Sequence, residues 1–469
     1  MGGGLLQLVA YGAQDAYISG NPQITFWKGL FKRHTNFAME PFRINLTGQQ
    51  AWGSKQSAVV GRHADLMYST YLEVQMHRTA SDNSTSQLWN DDQSMLGFNL
   101  LKYVELEIGG QLIDRKYGEW LALWTILTSD VNQLKMIKRM SSPEFFGSIS
   151  TGSNADYVGL FAAKYGCLPG YSRRSTPHIL YIPLSFFYTR NPGAALPLIA
   201  LQYHEVKVNI VWNPANLVTG DYVNPVHKNP KPVASVALYV DYIYLDVEER
   251  RRMAQESHEY LIEQVQYNEQ KDLSSSTNKV DLTFNHPVKE LVWVVQPSNY
   301  TDCKKPVFNA NSGSWDPLTN PPARPQLGDA DQYSGVGYST YGSGHGRLMP
   351  FTYDVDPIFS QSLMFNGQER VPVRYGDYFN KVQPYQHHTG DTTNYPGIYM
   401  YSFALKPEEH QPSGTCNFSR IDTATINMEF TGDVIADEAR DATWSVRVYA
   451  VNYNILRIMS GMAGLAYSN

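Results

Sequence analysis

Cysteine is scarce in this chain. Only Cys167, Cys303 and Cys416 occur in 469 residues, far apart, which excludes a disulfide framework and a paired CxxC metal site and fits a reducing compartment. Charge is also low. Asp, Glu, Lys and Arg make up 17% of the residues, below the usual share of about a quarter, so much of the surface is expected to meet protein and not water. The net charge of -6 leaves no whole-chain positive field to grip a phosphate backbone, and direct nucleic-acid binding is not expected. No apolar run approaches the ~20 residues of a membrane-spanning helix. The opening residues lack a basic region and are interrupted by Gln7 and Gly12, which makes a poor secretion signal. Leu6 stands where a myristoylation signal needs Ser or Thr. A soluble chain without a standard lipid anchor is expected.

Catalytic patterns are missing too. Gly48 to Lys55 reads GQQAWGSK, with Ser before Lys, the reverse of the order that places Lys on phosphates and a hydroxyl on Mg²⁺. GYSTY at Gly337 lacks the closing Gly of a nucleophile elbow. GSGHG at Gly342 has neither the strand before it nor the helix after it that a dinucleotide site needs. His204-Glu205 has no second His four residues on. His387, His388, His410 and Cys416 form the one grouping a Zn²⁺ could use. Neighbours on a strand point to opposite faces, however, so ordinary hydrogen-bonded histidines are the preferred reading. Glu408-Glu409 has no partner at a predictable distance for acid and base work. No catalytic residue, cofactor or metal is assigned, and the chain reads as a non-enzyme.

What is present favours strands and protein contacts. Hydrophobic residues at 42% and aromatics at 13%, including 32 Tyr, can fill two cores of roughly 200 residues each. Period-two alternation puts Val104, Leu106 and Ile108 on one face and Glu105 and Glu107 on the other, followed by Gly109-Gly110 as a hairpin turn. The same alternation runs through Val206 to Trp212, Ala424 to Phe430 and Trp444 to Ala450. The fold class is all-β. The one convincing helix spans Asp246 to Val265, with Asp246 as its cap and its Arg250-Arg251-Arg252 run neutralised by surrounding Glu residues.

Composition divides the chain into an N-terminal arm at 1–24, a first domain at 25–213, a Pro-rich connector at 214–234 and a second domain at 235–469. Residues 299–350 form a long Gly-, Pro- and Ser-rich surface loop within the second domain. The arm mixes glycines with the apolar side chains Leu5, Leu6, Leu8, Val9, Tyr11 and Tyr17, a pattern suited to an assembly clamp that orders on a partner. Acceptor sequons at Asn45, Asn83, Asn299 and Asn417 are expected to stay unused without a secretory route.

A weak internal repeat joins the two halves. Gly110-Gln111 with Tyr117-Gly118-Glu119-Trp120 is echoed by Gly367-Gln368 with Tyr375-Gly376-Asp377-Tyr378. Ser185-Phe186 and Val208-Asn209-Ile210 are echoed by Ser402-Phe403 and Ile426-Asn427-Met428. The second pair is offset by roughly forty residues less than the first, as a loop-length difference between two copies of one fold produces.

Longer blocks carry a specific resemblance. They are LVAYGAQDAYISGNPQITFWK from Leu8 with TNFAME at Thr35, and IGGQLIDRKYGEWL from Ile108 with YIPLSFFYTRNPGAALPLIALQYHEVKV from Tyr181. YLDVEERRRMAQESHEYLIEQVQ from Tyr244 follows with NHPVKELVWVVQ from Asn285, and the last are YSFALKPEEHQPSGTCNFSRID from Tyr401 and VNYNILRIMSGMAGLAYSN from Val451. In this order they resemble the major capsid proteins of nucleocytoplasmic large DNA viruses, the iridovirus, phycodnavirus and Marseille-type families. The resemblance implies a double jelly roll, two tandem rolls of eight strands each, that trimerises into a pseudo-hexagonal capsomer and tiles an icosahedral shell. It also implies minor capsid and penton proteins as partners, the vicinity of an internal membrane, and assembly in the host cytoplasm. The rival reading is a jelly-roll glycan-binding, lectin-like surface protein, whose Tyr-rich tract at 331–341 would stack on sugars.

Overall fold

A computed structural model describes residues 2–27, 29, 31–75, 88–89, 96–141, 168–169, 179–214, 219–220, 233, 235–297, 358–390, 392, 397–430 and 444–467. The loop expected at 299–350 and the sequons Asn83 and Asn299 lie outside them. Two compact units divide the chain, Met1–Phe37 and Ala38–Asn469. In the first, Gly3–Val9 is helical and Ala16–Ser19 adds a further turn. The Asp15 carboxylate accepts the Gly12 amide at 2.7 Å, fixing the bend between them.

Among the described residues of the second unit, two sets of eight main strands stand out, with shorter strand pieces beside them. The first set is β1 (Phe37–Asn45), β2 (Lys55–Val60), β3 (Leu66–Gln75), β4 (Leu101–Ile108), β5 (Gln111–Tyr117), β6 (Ile179–Pro183), β7 (Val206–Trp212) and β8 (Ser235–Leu245). The second is β9 (His258–Leu273), β10 (Thr277–Leu282), β11 (Pro287–Pro297), β12 (Ile358–Phe365), β13 (Gln368–Tyr375), β14 (Ile398–Ser402), β15 (Ala424–Phe430) and β16 (Trp444–Met459). The first set forms sheets of order β1-β8-β3-β6 and β2-β7-β4-β5. The second forms β9-β16-β11-β14 and β10-β15-β12-β13. Adding eight to each label of the first roll gives the second. The duplication read from scattered dipeptides is thus a duplication of strand order, and the fold is a double jelly roll.

Alternation explains the sheets residue by residue. On β7, Val208 lies between Ala58 of β2 and Leu106 of β4, and all three are fully buried. The next residue, Asn209, faces the other way, accepting from the Ser57 hydroxyl at 2.7 Å and donating to Glu107 at 2.9 Å. The expected hairpin turns at Gly109 and Gly110, with φ of 58° and 83°. Its counterpart in the second roll turns at Asn366 and Gly367, with φ of 50° and 77°. Such paired left-handed residues match the twist of two-residue hairpins.

Three expectations change. The Pro-rich tract 214–234 is not the division between domains, because β8, which follows it, pairs with β3 along Ser235↔Gln75 to Ile243↔Leu66 and completes the first roll. That tract joins two sheets of one roll, and the crossing to the second roll comes after Leu245. The helix expected over Asp246 to Val265 ends at Gln255. Asp246 does cap it, accepting from the Val247 amide at 2.7 Å, but from His258 the chain becomes β9 and pairs with β16 over nearly its whole length. Tyr260, Ile262 and Val265 suit a strand, and tertiary pairing overrides the helical tendency of the flanking charges. The third change is an unanticipated helix, Gly118–Thr128, with Trp120, Leu121, Ala122, Leu123, Ile126 and Leu127 all buried.

Candidate functional site: the seam between the two rolls

The helix Gly118–Thr128 follows directly from the β4–β5 hairpin and lies against the second roll. It is buried around its circumference, with only Glu119 and Thr128 partly open, the mark of a helix enclosed on all sides. Trp120 packs on Tyr449 of β16 at 5.4 Å between ring centroids. Val292, Val294, Ile398, Met400 and Tyr449 of the second roll share one core with the first roll's Trp120, Leu123 and Trp124. The other faces of the same strands, Leu291, Trp293, Val446, Val448 and Ala450, fill the second roll's own core. Both faces of the β11 and β16 sheet are therefore buried.

Charge threads this apolar seam. Five carboxylates, Asp114, Glu119, Glu263, Glu290 and Glu408, meet five cationic groups, Lys116, Arg190, Lys289, His388 and Arg447. Glu119 receives two hydrogen bonds from Arg447 at 2.7 Å each, and a third from the Tyr449 hydroxyl at 2.5 Å. Burial alone would push the Arg447 guanidinium down, but Glu119 beside it holds it above its ordinary value. Glu263 of β9 binds Arg190 from the first roll and Lys289 from β11, the latter at 2.7 Å. Burial would raise its carboxyl, and the two cations win, leaving it below the usual range. The Arg190 guanidinium also stacks over the Trp124 ring at 4.1 Å. Asp114 and Lys116 pair at 3.0 Å with almost no exposure. Desolvation there moves the carboxyl up and the ammonium down, each toward its neutral form.

His388 closes the seam at the far end of the helix. Its Nε2 lies 3.0 Å from Glu290 and its Nδ1 2.9 Å from Glu408. Burial disfavours the charged ring, but two carboxylates outweigh it and the pKa is pushed up to about 9. Beside it, the Thr389 hydroxyl and amide both donate to Glu408 at 2.8 Å, and the Gly390 amide donates to the Leu127 carbonyl at 2.8 Å. The Gly390 amide thus satisfies one of the carbonyls that a helix C-terminus leaves without a partner.

The arrangement is largely buried and fixes geometry. Replacing buried ion pairs by apolar side chains often costs little stability, but breaking one partner costs much, so the network penalises any other docking of the rolls. The histidines considered for a metal do not converge. His388 is committed to two carboxylates, and His387 Nδ1 lies 3.2 Å from the Leu405 carbonyl. Among the described residues no group of three or more His, Cys, Asp or Glu could hold a metal ion. Asn45 and Asn417 are exposed, and the Asn417 side chain accepts from the Ser419 amide at 3.0 Å. Leu5, Leu6, Leu8, Val9, Tyr11 and Tyr17 are each more than half exposed, Tyr17 reaching 93%.

Of the seam residues, the sequence singled out only His388, weighed for a metal, and Glu408, weighed for acid and base work, and for neither did it give the role found here. Two signals pointed to them: Lys289-Glu290 interrupts an apolar strand, where charge is costly unless paired, and Glu119 recurs as Asp377 in the internal repeat.

Comparison with known proteins bears on this architecture. Residues 25–246 match the family described as Major capsid protein N-terminus, and 249–464 match Large eukaryotic DNA virus major capsid protein. The junction of the two matches falls where β8 ends. The major capsid protein of Phaeocystis pouchetii virus is 41% identical, and that of Paramecium bursaria Chlorella virus 1 is 38% identical, each match covering 100% of both chains. Among solved structures, PBCV-1 VP54 fitted into a reconstruction of the virophage Sputnik aligns with a TM-score of 0.71 at 33% identity, over 95% of this chain and 100% of the other. The Faustovirus major capsid protein has a TM-score of 0.63 at 12% identity, over 96% and 94%, and shares the fold.

Proposed function

The chain belongs to the major capsid protein family of large eukaryotic DNA viruses, and from that premise we propose that it is the unit that closes into a homotrimer and tiles an icosahedral virion shell. The observation that carries this is the pairing of two rolls with the same strand order, locked at a fixed angle by a charge-balanced seam. Such a block presents two similar units in a row, and three blocks joined head to tail give a six-unit ring able to fill a hexagonal lattice. Each chain acts by contact, with no bond made or broken, and without nucleic acid as a direct partner.

The arm is the reaching element in this reading. Its helix Gly3–Val9 exposes Leu5, Leu6, Leu8 and Val9, an apolar set that full burial would stabilise by roughly 1.5 to 3 kcal/mol per side chain. Neighbouring trimers, minor capsid or penton proteins, or an internal membrane would supply the cover, during assembly in the host cytoplasm. Native mass spectrometry of the purified chain tests the central claim. A trimer is expected, and a monomer persisting across micromolar concentrations refutes it.

A further inference from the structure

The last hairpin of the chain is held by the opposite roll. β16 turns at Ser460 and Gly461, with φ of 52° and 81°, and the strand Met462–Leu465 runs back along it, Met462 opposite Met459 and Leu465 opposite Leu456. Among the described residues no strand pairs with its other edge. The first roll caps that edge in place of a strand. The Ala463 amide donates to His204 Nδ1 at 3.1 Å and the Leu465 amide to Gln111 Oε1 at 3.4 Å, while the Tyr203 amide donates to the Gly461 carbonyl at 3.0 Å. The fit is close. A Cβ added at Gly461 would lie 2.6 Å from the Tyr203 ring, and one added at Gly109 would lie 2.4 Å from the His204 ring. Ala463 is buried in the core shared by the two rolls, and Leu465 packs against it.

A backbone amide can only donate, so its partner on His204 must be a bare ring nitrogen. The held state therefore needs the neutral imidazole, with its one proton on Nε2. A second proton on the ring would set N–H against N–H at Nδ1 and turn the clasp into a repulsion. The Gln111 amide and the Tyr203 backbone do not titrate, which leaves His204 as the pH-sensitive point of the three. The charged groups on the elements around the ring are Arg62, Glu205 and Arg457. Arg62 lies 3.4 Å from the His204 carbonyl, Glu205 pairs with Lys207 at 3.4 Å, and Arg457, opposite Gly464, pairs with Glu259 at 2.9 Å. Both carboxylates have cations of their own. His388 has two carboxylates to receive its charge, and among the described residues the His204 ring has none. His204 also borders a surface recess of about 280 Å³, lined by Arg62, Leu201 and Glu205 among others, by which water reaches it.

We propose that the C-terminal hairpin 460–467 is an acid-released latch between the two rolls, with His204 as its trigger. At neutral pH the bare Nδ1 holds the Ala463 amide and the hairpin lies closed on the first roll. As pH falls His204 takes up a proton, that bond is lost, and the hairpin leaves the first roll with one strand edge uncovered. The latch thus contributes above the titration of His204 and is lost below it. The buried seam keeps the rolls docked, so release loosens one tie between them without unfolding the chain.

Hydrogen exchange read by mass spectrometry tests this on the full chain, with labelling times scaled for the intrinsic pH dependence of exchange. Protection of peptide 460–467 should fall roughly tenfold between about pH 7.5 and about pH 5, the scale of one net hydrogen bond. It should return on neutralisation, while peptide 206–212 stays unchanged. His204→Asn keeps an acceptor near the Nδ1 position and does not titrate, so its hairpin should stay protected at both pH values. Gln111→Leu removes the Leu465 acceptor alone and should loosen the hairpin at the higher pH yet keep the acid response. Equal protection of the native hairpin at both pH values overturns the latch, and so does an acid response that survives in His204→Asn.

Discussion

Glu119 in the first roll and Arg447 in the second meet through two parallel hydrogen bonds of 2.7 Å, across an interval of more than three hundred residues. Each side chain is 11% exposed, so neither charge can turn to water if the other is lost. Glu119→Ala should therefore destabilise the chain by about 3–5 kcal/mol, the cost of removing one partner of a buried ion pair. The double variant Glu119→Leu with Arg447→Met should recover most of that loss. Chemical denaturation of the three proteins checks it, and a double variant less stable than the single one would contradict the account.

The His388 pair gives a pH signature. Its folded pKa of about 9 lies above the ordinary 6.5, so the charged ring is favoured by folding. The stabilisation is complete below pH 6.5, declines as pH rises, and is gone above about 9. Its ceiling is about 3 kcal/mol. Glu408 behaves oppositely. Burial would raise its carboxyl, but His388 and Thr389 bring it below its ordinary value, so its contribution is present above the ordinary carboxylate range and lost on acidification. Melting temperature should fall between pH 6.5 and 9 in the native chain, and His388→Gln should flatten that limb.

Gly390 sits where the second roll touches the end of the helix Gly118–Thr128. An added Cβ would lie 2.1 Å from the Ile126 carbonyl oxygen and 2.4 Å from that of Leu127, both backbone atoms that cannot swing aside. Gly390→Ala should lift the loop and break the Gly390 to Leu127 hydrogen bond, at about 1–3 kcal/mol. Gly367→Ala, at a hairpin with open space around the site, meets only its positive φ of 77° and should cost about 1 kcal/mol. Thermal melts rank the two, and an equal or reversed order would be the contrary result.

Strands were the legible part of this fold, because a sheet with one wet face writes its period into the sequence. Ala424 to Phe430 shows it, with Asn427 half-buried and Glu429 exposed between buried apolar residues, and the Gly109-Gly110 turn fixed the hairpin. The helix Gly118–Thr128 was illegible for the opposite reason: enclosed by both rolls, it carries no polar stripe to mark its period. The Pro-rich tract at 214–234 marked a real interruption of regular structure, yet composition cannot tell a crossing between sheets from a crossing between domains. Only the pairing of Leu238 with Leu72 assigns β8 to the first roll. The seam escaped for a related reason. Lys116 and Glu263 stand among residues that alternate like ordinary surface charges, and the local pattern around Lys289 does not name the partners that its charge requires.

The arm supplies the last prediction. Residues Met1–Phe37 form a unit of their own, separate from Ala38–Asn469, and in its helix Gly3–Val9 no residue is buried. Removing residues 1–20 should therefore leave the melting temperature and the trimeric state unchanged. Shell formation is another matter, because Leu5, Leu6, Leu8 and Val9 would each gain roughly 1.5 to 3 kcal/mol on full burial, while ordering costs about 1 to 2 kcal/mol per residue. The sum is near zero for an arm alone and turns favourable only when a partner covers it, which is the behaviour of a clamp set during assembly. Particle yield, or resistance of particles to heat, should fall in the truncated protein while its trimers stay intact. Normal particles from truncated chains would reduce the arm to an idle tail, and lost trimers would place it in the capsomer itself.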